Sequence, residues 1–277
     1  MRNLNPPSLP DLHVIDVIVA TPQTPVTTKR DLRRMRQVLR TAAAAYRPNL
    51  LGRRVITPLA TPTPDIERLK AAYKTAQSET HHSMLQSSVL LNPENRGGLC
   101  VYCDISVAHE MDHFLPKSVF PEFAVLSANL VPSCGRCNRL KGESAFQPSG
   151  ARYFHSYLDS VDFQFVRAAL HMADGALYCV FELDIPSPTC PVIAEGIELE
   201  FDELQLISRY QTAANLEMGE QLVSVMDYLT GPLDRLSKSF ESNARHLLSI
   251  YGVNHWKSLL YAAIVDVGPG SKDCIPG

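Results

Sequence analysis

The chain has 277 residues and a mass of 30.7 kDa, enough for one large or two small domains at about 150 residues per domain. With 45% hydrophobic and 20% charged residues, it is too apolar for an intrinsically disordered protein. The net charge of −3, from 26 Lys and Arg against 29 Asp and Glu, excludes a uniformly basic protein that coats DNA.

Charge is unevenly distributed along the chain. Residues 1–99 carry 14 Lys and Arg against 7 Asp and Glu, and residues 100–141 carry 4 of each. Residues 142–277 carry 8 basic against 18 acidic residues, a net charge of −10. Two interpretations remain open: the basic part binds an anionic partner, or the two parts have solvated surfaces of opposite sign.

The apolar runs are too short to cross a membrane, which takes about 18–20 residues. Near the N-terminus the apolar stretch Val14–Ala20 is interrupted by Asp16, which argues against a secretory signal. We therefore expect a cytoplasmic protein without membrane contact.

The first predicted elements follow a proline-rich start. Leu12–Ala20 has a strand-like pattern, and a helix is expected from Thr27 or Thr28 to Tyr46 because apolar residues recur at helical spacing. That helix carries the densest basic segment, with Lys29, Arg30, Arg33, Arg34, Arg36 and Arg40. It is interpreted either as a phosphate-contacting element or as an ordinary solvated helix. A second helix is predicted from Asp65 to Leu91, with His81 and His82 on its surface.

A breaker at residues 92–98 precedes a cysteine-containing module that ends near Gly142. After it, the pattern predicts a helix at 157–171 and strands at 176–183 and 196–201. Further helices are predicted at 202–216, 219–240, 243–251 and 254–265.

Cysteine spacing gives the first chemical signal. Seven cysteines are an odd number, which does not suit a closed disulfide framework. Four of them form two CxxC pairs, Cys100 with Cys103 and Cys134 with Cys137. Two such pairs supply a tetrahedral sulfur shell for zinc, although a redox dithiol beside an accidental pair is the alternative. Cys179, Cys190 and Cys274 are interpreted as ordinary residues.

Between and beside these pairs lie residues that suit phosphodiester hydrolysis. Asp112-His113 is followed by Phe-Leu-Pro, then come Asn129-Leu-Val-Pro, the second CxxC, Asn138 and Lys141. Histidine, with an unperturbed pKa near 6.5, suits a general base. Asp112 on the same strand points to the opposite face, so the two side chains can serve different partners. Carboxylate and amide oxygens are ligands that Mg²⁺ prefers.

This pattern resembles the HNH nuclease family, also called the ββα-metal or His-Me finger, in its branch with a four-cysteine zinc knuckle. The resemblance covers about 45 residues. It implies that His113 is the general base, that Asp112 and Asn138 hold catalytic Mg²⁺ or Mn²⁺, and that Asn129 bonds backbone across the loop and orients the His113 strand. It further implies structural zinc on Cys100, Cys103, Cys134 and Cys137, and phosphate contacts from Lys141 and Arg136.

One departure and one ambiguity accompany the resemblance. Asn138 stands where the family often has histidine, which leaves the metal preference open. Lys141 could equally be a solvated helix lysine.

Two other functions compete for the same residues. His109-Glu110-Met-Asp-His113 matches the HExxH zinc-protease pattern, which needs a helix, but Pro116 would cut that helix short. The second alternative is a non-catalytic zinc knuckle that only binds DNA or a protein. This hypothesis gives Asp112, His113 and Asn138 no chemical role.

The sequence as a whole therefore predicts an α+β protein with a central ββα zinc-and-metal finger. We expect a basic, mainly helical extension at 1–95, the HNH module at 96–145, and an acidic, mainly helical domain with a short sheet at 146–277. The resemblance implies metal-dependent DNA cleavage that leaves 5′-phosphate and 3′-hydroxyl ends, and a role as a bacterial restriction or phage-defence effector. The acidic domain would bind an ATPase or sensor protein or a second copy of the chain.

Overall fold

A computed structural model describes residues 4–7, 9–60, 62–76, 89–90, 98–160, 162–231 and 235–269. It is an α+β structure. Its helices are α1 (His13–Ala20), α2 (Val26–Leu51), α3 (Thr63–Ala76), α4 (Gly135–Lys141), α5 (Pro191–Glu203), α6 (Leu206–Glu220), α7 (Leu222–Thr230), α8 (Arg235–Tyr251) and α9 (Trp256–Val267). Its strands are β1 (Glu110–His113), β2 (Leu130–Ser133), β3 (Val166–Ala173) and β4 (Ala176–Leu183).

The described residues divide into two compact units. The first contains the residues up to 102 and those from 106 to 160, and the second contains 103–105 and the residues after 161. The short turn 103–105 belongs to the second unit, where the carbonyl oxygen of Asp104 accepts a hydrogen bond from Nε1 of Trp256 at 3.2 Å.

The core of the first unit is built from helix faces and one side of a β-hairpin. Helices α1, α2 and α3 bring together the buried side chains of Val14, Ile15, Ile18, Leu32, Met35, Leu39, Leu69, Ala72 and Tyr73. Met111 of β1 and Leu130 of β2 pack into the same cluster. The hairpin is therefore anchored on a helical layer, which fixes the position of β1.

Strands β1 and β2 pair antiparallel, with Asp112 opposite Val131 and His113 opposite Leu130. The loop between them contains two short 3-10 turns, Pro121–Phe123 and Ser127–Asn129. Helix α4 starts directly after Cys134, so a hairpin and a helix follow one another across the cysteine-containing module.

Three elements are predicted before the cysteine-containing module. Leu12–Ala20 was predicted as a strand and is wrong, because its buried residues Val14, Ile15 and Ile18 share one face of helix α1. The basic helix is confirmed and extends further than expected, to Leu51. Beyond Ala76 the predicted second helix, with His81 and His82, lies outside the described residues except at positions 89–90.

The second unit contains the hairpin β3–β4, which packs against helices α6 and α9. Phe165, Phe201 and Tyr210 form its aromatic centre, with ring centroids 5.8 Å apart in both pairs. The strand at 176–183 is confirmed. The helix predicted at 157–171 is wrong, because Asp174 and Gly175 both have positive φ angles and close a tight hairpin between β3 and β4.

The strand predicted at 196–201 is also wrong. These residues lie in α5, which has Pro191 in its first turn, a favoured position for proline. The single helix predicted at 219–240 is two helices, and α7 ends before Gly231. No helix among the described residues is long and apolar enough to span a membrane.

Candidate active site and metal centre

Both CxxC pairs come together in space. Cys100, Cys103, Cys134 and Cys137 are buried, and their Sγ atoms all lie within 4.8 Å of one another. The grouping expected from their spacing is therefore confirmed. Four thiolates at such distances form a shell that could hold one tetrahedral zinc ion. Two of the four flank the start of α4, so an ion there would fix this helix against the chain around residue 100.

Beside the cysteine cluster, β1, α3 and α4 line an open cleft with a volume of about 680 Å³. The polar and titratable side chains that line it include Lys70, Tyr73, His109, Glu110, Asp112, His113, Lys117 and Asn138. The cleft thus holds the imidazole, carboxylate and amide groups that the sequence singled out.

His113 is buried, and its environment defines its protonation state. Its Nε2 lies 2.9 Å from the carbonyl oxygen of Ala124. Because a carbonyl only accepts, Nε2 must carry the proton. Burial, aided by the charge of Lys117, lowers the pKa of His113 to about 3. At neutral pH the ring is therefore uncharged, and Nδ1 keeps its lone pair.

An aromatic and a cationic side chain complete the surroundings of this imidazole. The ring of Tyr73 packs edge-on against His113, with centroids 4.3 Å apart. Lys117 lies over the Tyr73 ring at 5.1 Å from its centroid. The hydrogen bond to the Ala124 carbonyl and the packing against the Tyr73 ring therefore fix the ring orientation of His113.

Asp112 is held by two buried donors. Its Oδ2 accepts a hydrogen bond from the Tyr102 hydroxyl at 2.7 Å. The same oxygen forms an ion pair with Nζ of Lys141 at 3.0 Å. Lys141 also donates to the backbone oxygen of His113 at 2.9 Å. One ammonium group therefore connects α4 to both residues of the Asp112-His113 pair.

Asn129 lies fully buried beneath the same strand. Its Oδ1 accepts hydrogen bonds from the backbone nitrogen of Leu115 at 2.8 Å and from the Tyr46 hydroxyl at 2.9 Å. Its Nδ2 donates to the carbonyl of Leu115 at 3.0 Å. These bonds tie the segment after His113 to the start of β2.

Asn138 projects from α4 into the cleft, where its Nδ2 donates to Oε2 of Glu110 at 2.6 Å. Glu110 and Asp112 are two residues apart on β1 and so point to the same side of the strand. Three oxygen-bearing side chains therefore line this part of the cleft.

Two candidate phosphate contacts lie in different settings. Arg136 is exposed on α4. Lys141 is buried, with only 3% of its surface accessible, and its ammonium group is occupied inside the protein. The structure therefore corrects the expectation that Lys141 meets phosphate, since a buried ion pair is not free to do so.

The zinc-protease alternative does not fit the structure. Glu110–His113 is a β-strand rather than a helix, so His109 and His113 cannot share a helical face. The His109 ring is largely exposed and contacts the carbonyl oxygen of Val107 at 3.3 Å.

The donor sets suit the two ions expected from the sequence. Four buried thiols fit zinc. Within the described part of the chain, the Asp112 carboxylate is bonded through Oδ2 alone, and Asn138 Oδ1 accepts no hydrogen bond. Each side chain thus retains an oxygen in the cleft, the kind of ligand that Mg²⁺ or Mn²⁺ takes.

Sequence reasoning missed several side chains that shape the site. Tyr46 and Tyr73 come from helices α2 and α3, distant in the chain from the cysteine-containing module, whereas Tyr102 lies inside the first CxxC pair but has no role that the motif predicts. His155 also reaches the network, with Nε2 3.1 Å from the Tyr46 hydroxyl. Only spatial proximity reveals such partners, because the sequence pattern gives Tyr46 only as the end of a predicted helix.

Comparison with known proteins gives partial similarities. The chain is 27% identical over 186 residues to protein ea31 of Escherichia phage lambda, an alignment that covers 61% of this chain and 62% of ea31. It is 46% identical over 48 residues to Septu protein PtuB of Bacillus thuringiensis, covering 16% of this chain and 19% of PtuB. The chain thus spans less than two thirds of either relative. No family model and no solved structure matches it.

Proposed function

We propose that this protein is a metal-dependent endonuclease of the HNH class that hydrolyses phosphodiester bonds in DNA. The observation that carries the proposal is a neutral imidazole, His113, in one cleft with the oxygen donors Asp112 and Asn138. The adjoining four-cysteine cluster and the resemblance of the motif in sequence support it.

Each residue has a distinct task in this mechanism. Nδ1 of His113 takes a proton from the attacking water, while the Nε2–H bond to Ala124 keeps the ring oriented. Asp112 and Asn138 would hold the divalent ion, which when bound neutralises charge on the phosphate and on the leaving oxygen. Lys70 and Lys117 add positive charge to the cleft. The negative charge of a bound phosphate would raise the pKa of His113, and the positive charge of the divalent ion would lower it.

The decisive experiment compares wild type with His113→Ala on plasmid DNA in Mg²⁺ or Mn²⁺. We expect the variant to cleave roughly 10²–10⁴-fold more slowly, the usual contribution of a general base. His109→Ala serves as the control and should cleave at the wild-type rate, because the proposed mechanism gives this exposed ring no role. Equal zinc content in all three proteins shows that the fold is intact.

Two results would contradict the proposal. If His113→Ala cleaves as fast as wild type, the assigned base is wrong. If wild type binds DNA but never cleaves it, the non-catalytic zinc knuckle becomes the better interpretation.

We further propose that the protein acts in the bacterial cytoplasm, in restriction or defence against phage. The similarities to a phage protein and to a bacterial Septu protein support a role in the interaction between phages and bacteria.

The two oppositely charged parts of the chain would bind different partners. The basic helix α2 would approach DNA. The acidic part from residue 142 onwards, with its net charge of −10, would repel DNA, so it would bind an ATPase or sensor protein or a second copy of the chain.

A further inference from the structure

Glu110 has no task in the mechanism above, yet it lies in the same cleft as the candidate ion ligands. We propose that Glu110 is a positioning residue, which orients the Asn138 amide so that Oδ1, and not Nδ2, faces the divalent ion. This inference rests on the proposed function, because it concerns the same ion. It assigns a role to a side chain that no motif in the sequence singles out for the nuclease.

Hydrogen-bond chemistry gives the first argument. An ionised carboxylate only accepts, so the Asn138 atom that lies 2.6 Å from Oε2 of Glu110 must be the amide nitrogen. A flipped amide would place two oxygens in contact. Since only the oxygen can bind a cation, the orientation of the amide decides whether Asn138 is a ligand.

The close approach of β1 to α4 gives the second argument. A Cβ atom at Gly135 would lie 2.7 Å from Oε1 of Glu110 and 3.0 Å from Nη1 of Arg139. Glycine at this position therefore leaves the space that the Glu110 carboxylate occupies. Gly135 is the first residue of α4 and Asn138 lies one turn later, so the carboxylate reaches the amide across the start of the helix.

The experiment measures Mn²⁺ binding to the zinc-loaded full-length protein without DNA, by the paramagnetic resonance signal of free Mn²⁺. Glu110→Ala should weaken binding about tenfold or more, as loss of a residue that orients a ligand usually does. Glu110→Gln should stay within about threefold of wild type, because its amide oxygen accepts the same hydrogen bond. Glu110→Ala combined with Asn138→Ala should bind no more weakly than Asn138→Ala alone, since both changes remove one interaction.

Several results would overturn the inference. If Glu110→Gln weakens Mn²⁺ binding as much as Glu110→Ala, Glu110 acts through its charge or as a direct ligand. Unchanged binding in Glu110→Ala, additive losses in the double variant, or absence of Mn²⁺ binding in wild type would each exclude the positioning role. Plasmid cleavage, measured separately, tests the other proposal: a protein that binds Mn²⁺ as expected but leaves DNA intact contradicts the nuclease and not this inference.

Discussion

At the scale of single residues, the candidate site depends on buried polar groups that satisfy one another. Asp112 and Lys141 are both almost inaccessible to solvent, with the Tyr102 hydroxyl as the third member of the group. Taking two charges out of water is costly, and only their mutual attraction and hydrogen bonds offset the cost. Removal of one partner therefore leaves an uncompensated charge.

We predict that Lys141→Met destabilises the protein by about 3–5 kcal/mol, because the Asp112 carboxylate stays buried without its counter-charge. Combining it with Asp112→Asn should cost clearly less than the sum of the two single changes. Urea unfolding at neutral pH, with zinc present, gives the free energies. Strictly additive losses would mean that the two groups do not stabilise one another.

His155 offers a second test at the same scale. It is fully buried, and its Nδ1 accepts a hydrogen bond from the backbone nitrogen of Tyr157 at 3.2 Å. Burial, reinforced by the charge of Arg152, lowers the pKa of His155 to about 3. Protonation would replace that acceptor with a donor facing another donor.

The direction in which stability changes with pH follows from the difference in proton binding between the folded and the unfolded protein. Between about pH 3 and pH 6.5 the unfolded chain binds more protons at this histidine than the folded protein does, so stability falls as the pH falls. The slope is at most about 1.4 kcal/mol per pH unit for one group. We predict that His155→Gln flattens the dependence of unfolding free energy on pH by up to this amount. An unaltered slope in His155→Gln would show that His155 is protonated in the folded protein.

At the scale of elements, strand β1 distributes its side chains between two neighbours. Met111 packs into the core and His113 against Tyr73, both on the side of helix α3. Glu110 and Asp112 bond to Asn138 and Lys141 of α4 on the other side. Alternation along one short strand thus separates the base from the oxygen donors, as the sequence pattern suggested.

Helix α4 has only seven residues, too few to be stable by itself. We expect zinc on the four cysteines to hold it in place, because binding free energy of a structural metal is folding free energy. Cys134→Ser should lose zinc and the ordered hairpin and helix, whereas Cys190→Ser, at an exposed cysteine, should lose neither. Zinc content and circular dichroism provide the measurements. Full zinc content in Cys134→Ser would exclude the four-thiolate site.

At the scale of the whole molecule, charge is unevenly distributed along the chain. The basic residues are concentrated before the cysteine module and the acidic ones after it. The described residues of the first unit bring α2 and α3 together with the candidate site, so the helices before the module form part of its core.

Sequence by itself determined those features that depend on spacing along the chain. The paired CxxC motifs predicted the cysteine cluster, because each pair brings two thiols together locally and both pairs can then share one ion. Apolar periodicity predicted α2, and β4 was expected at its observed position. The strand β3 was missed although Asp174-Gly175 is a known hairpin signal, because the apolar residues before it also suit a helix.

Only the tertiary structure decided which groups are buried together. That Lys141 neutralises Asp112, that Tyr73 covers His113 and that Glu110 binds the Asn138 amide all depend on side chains at least 28 positions apart. Hydrogen bonds and pKa shifts follow from distance and loss of solvent, and neither can be read from residue order. The residue types of the site were therefore readable in sequence, whereas their protonation and orientation arise from packing.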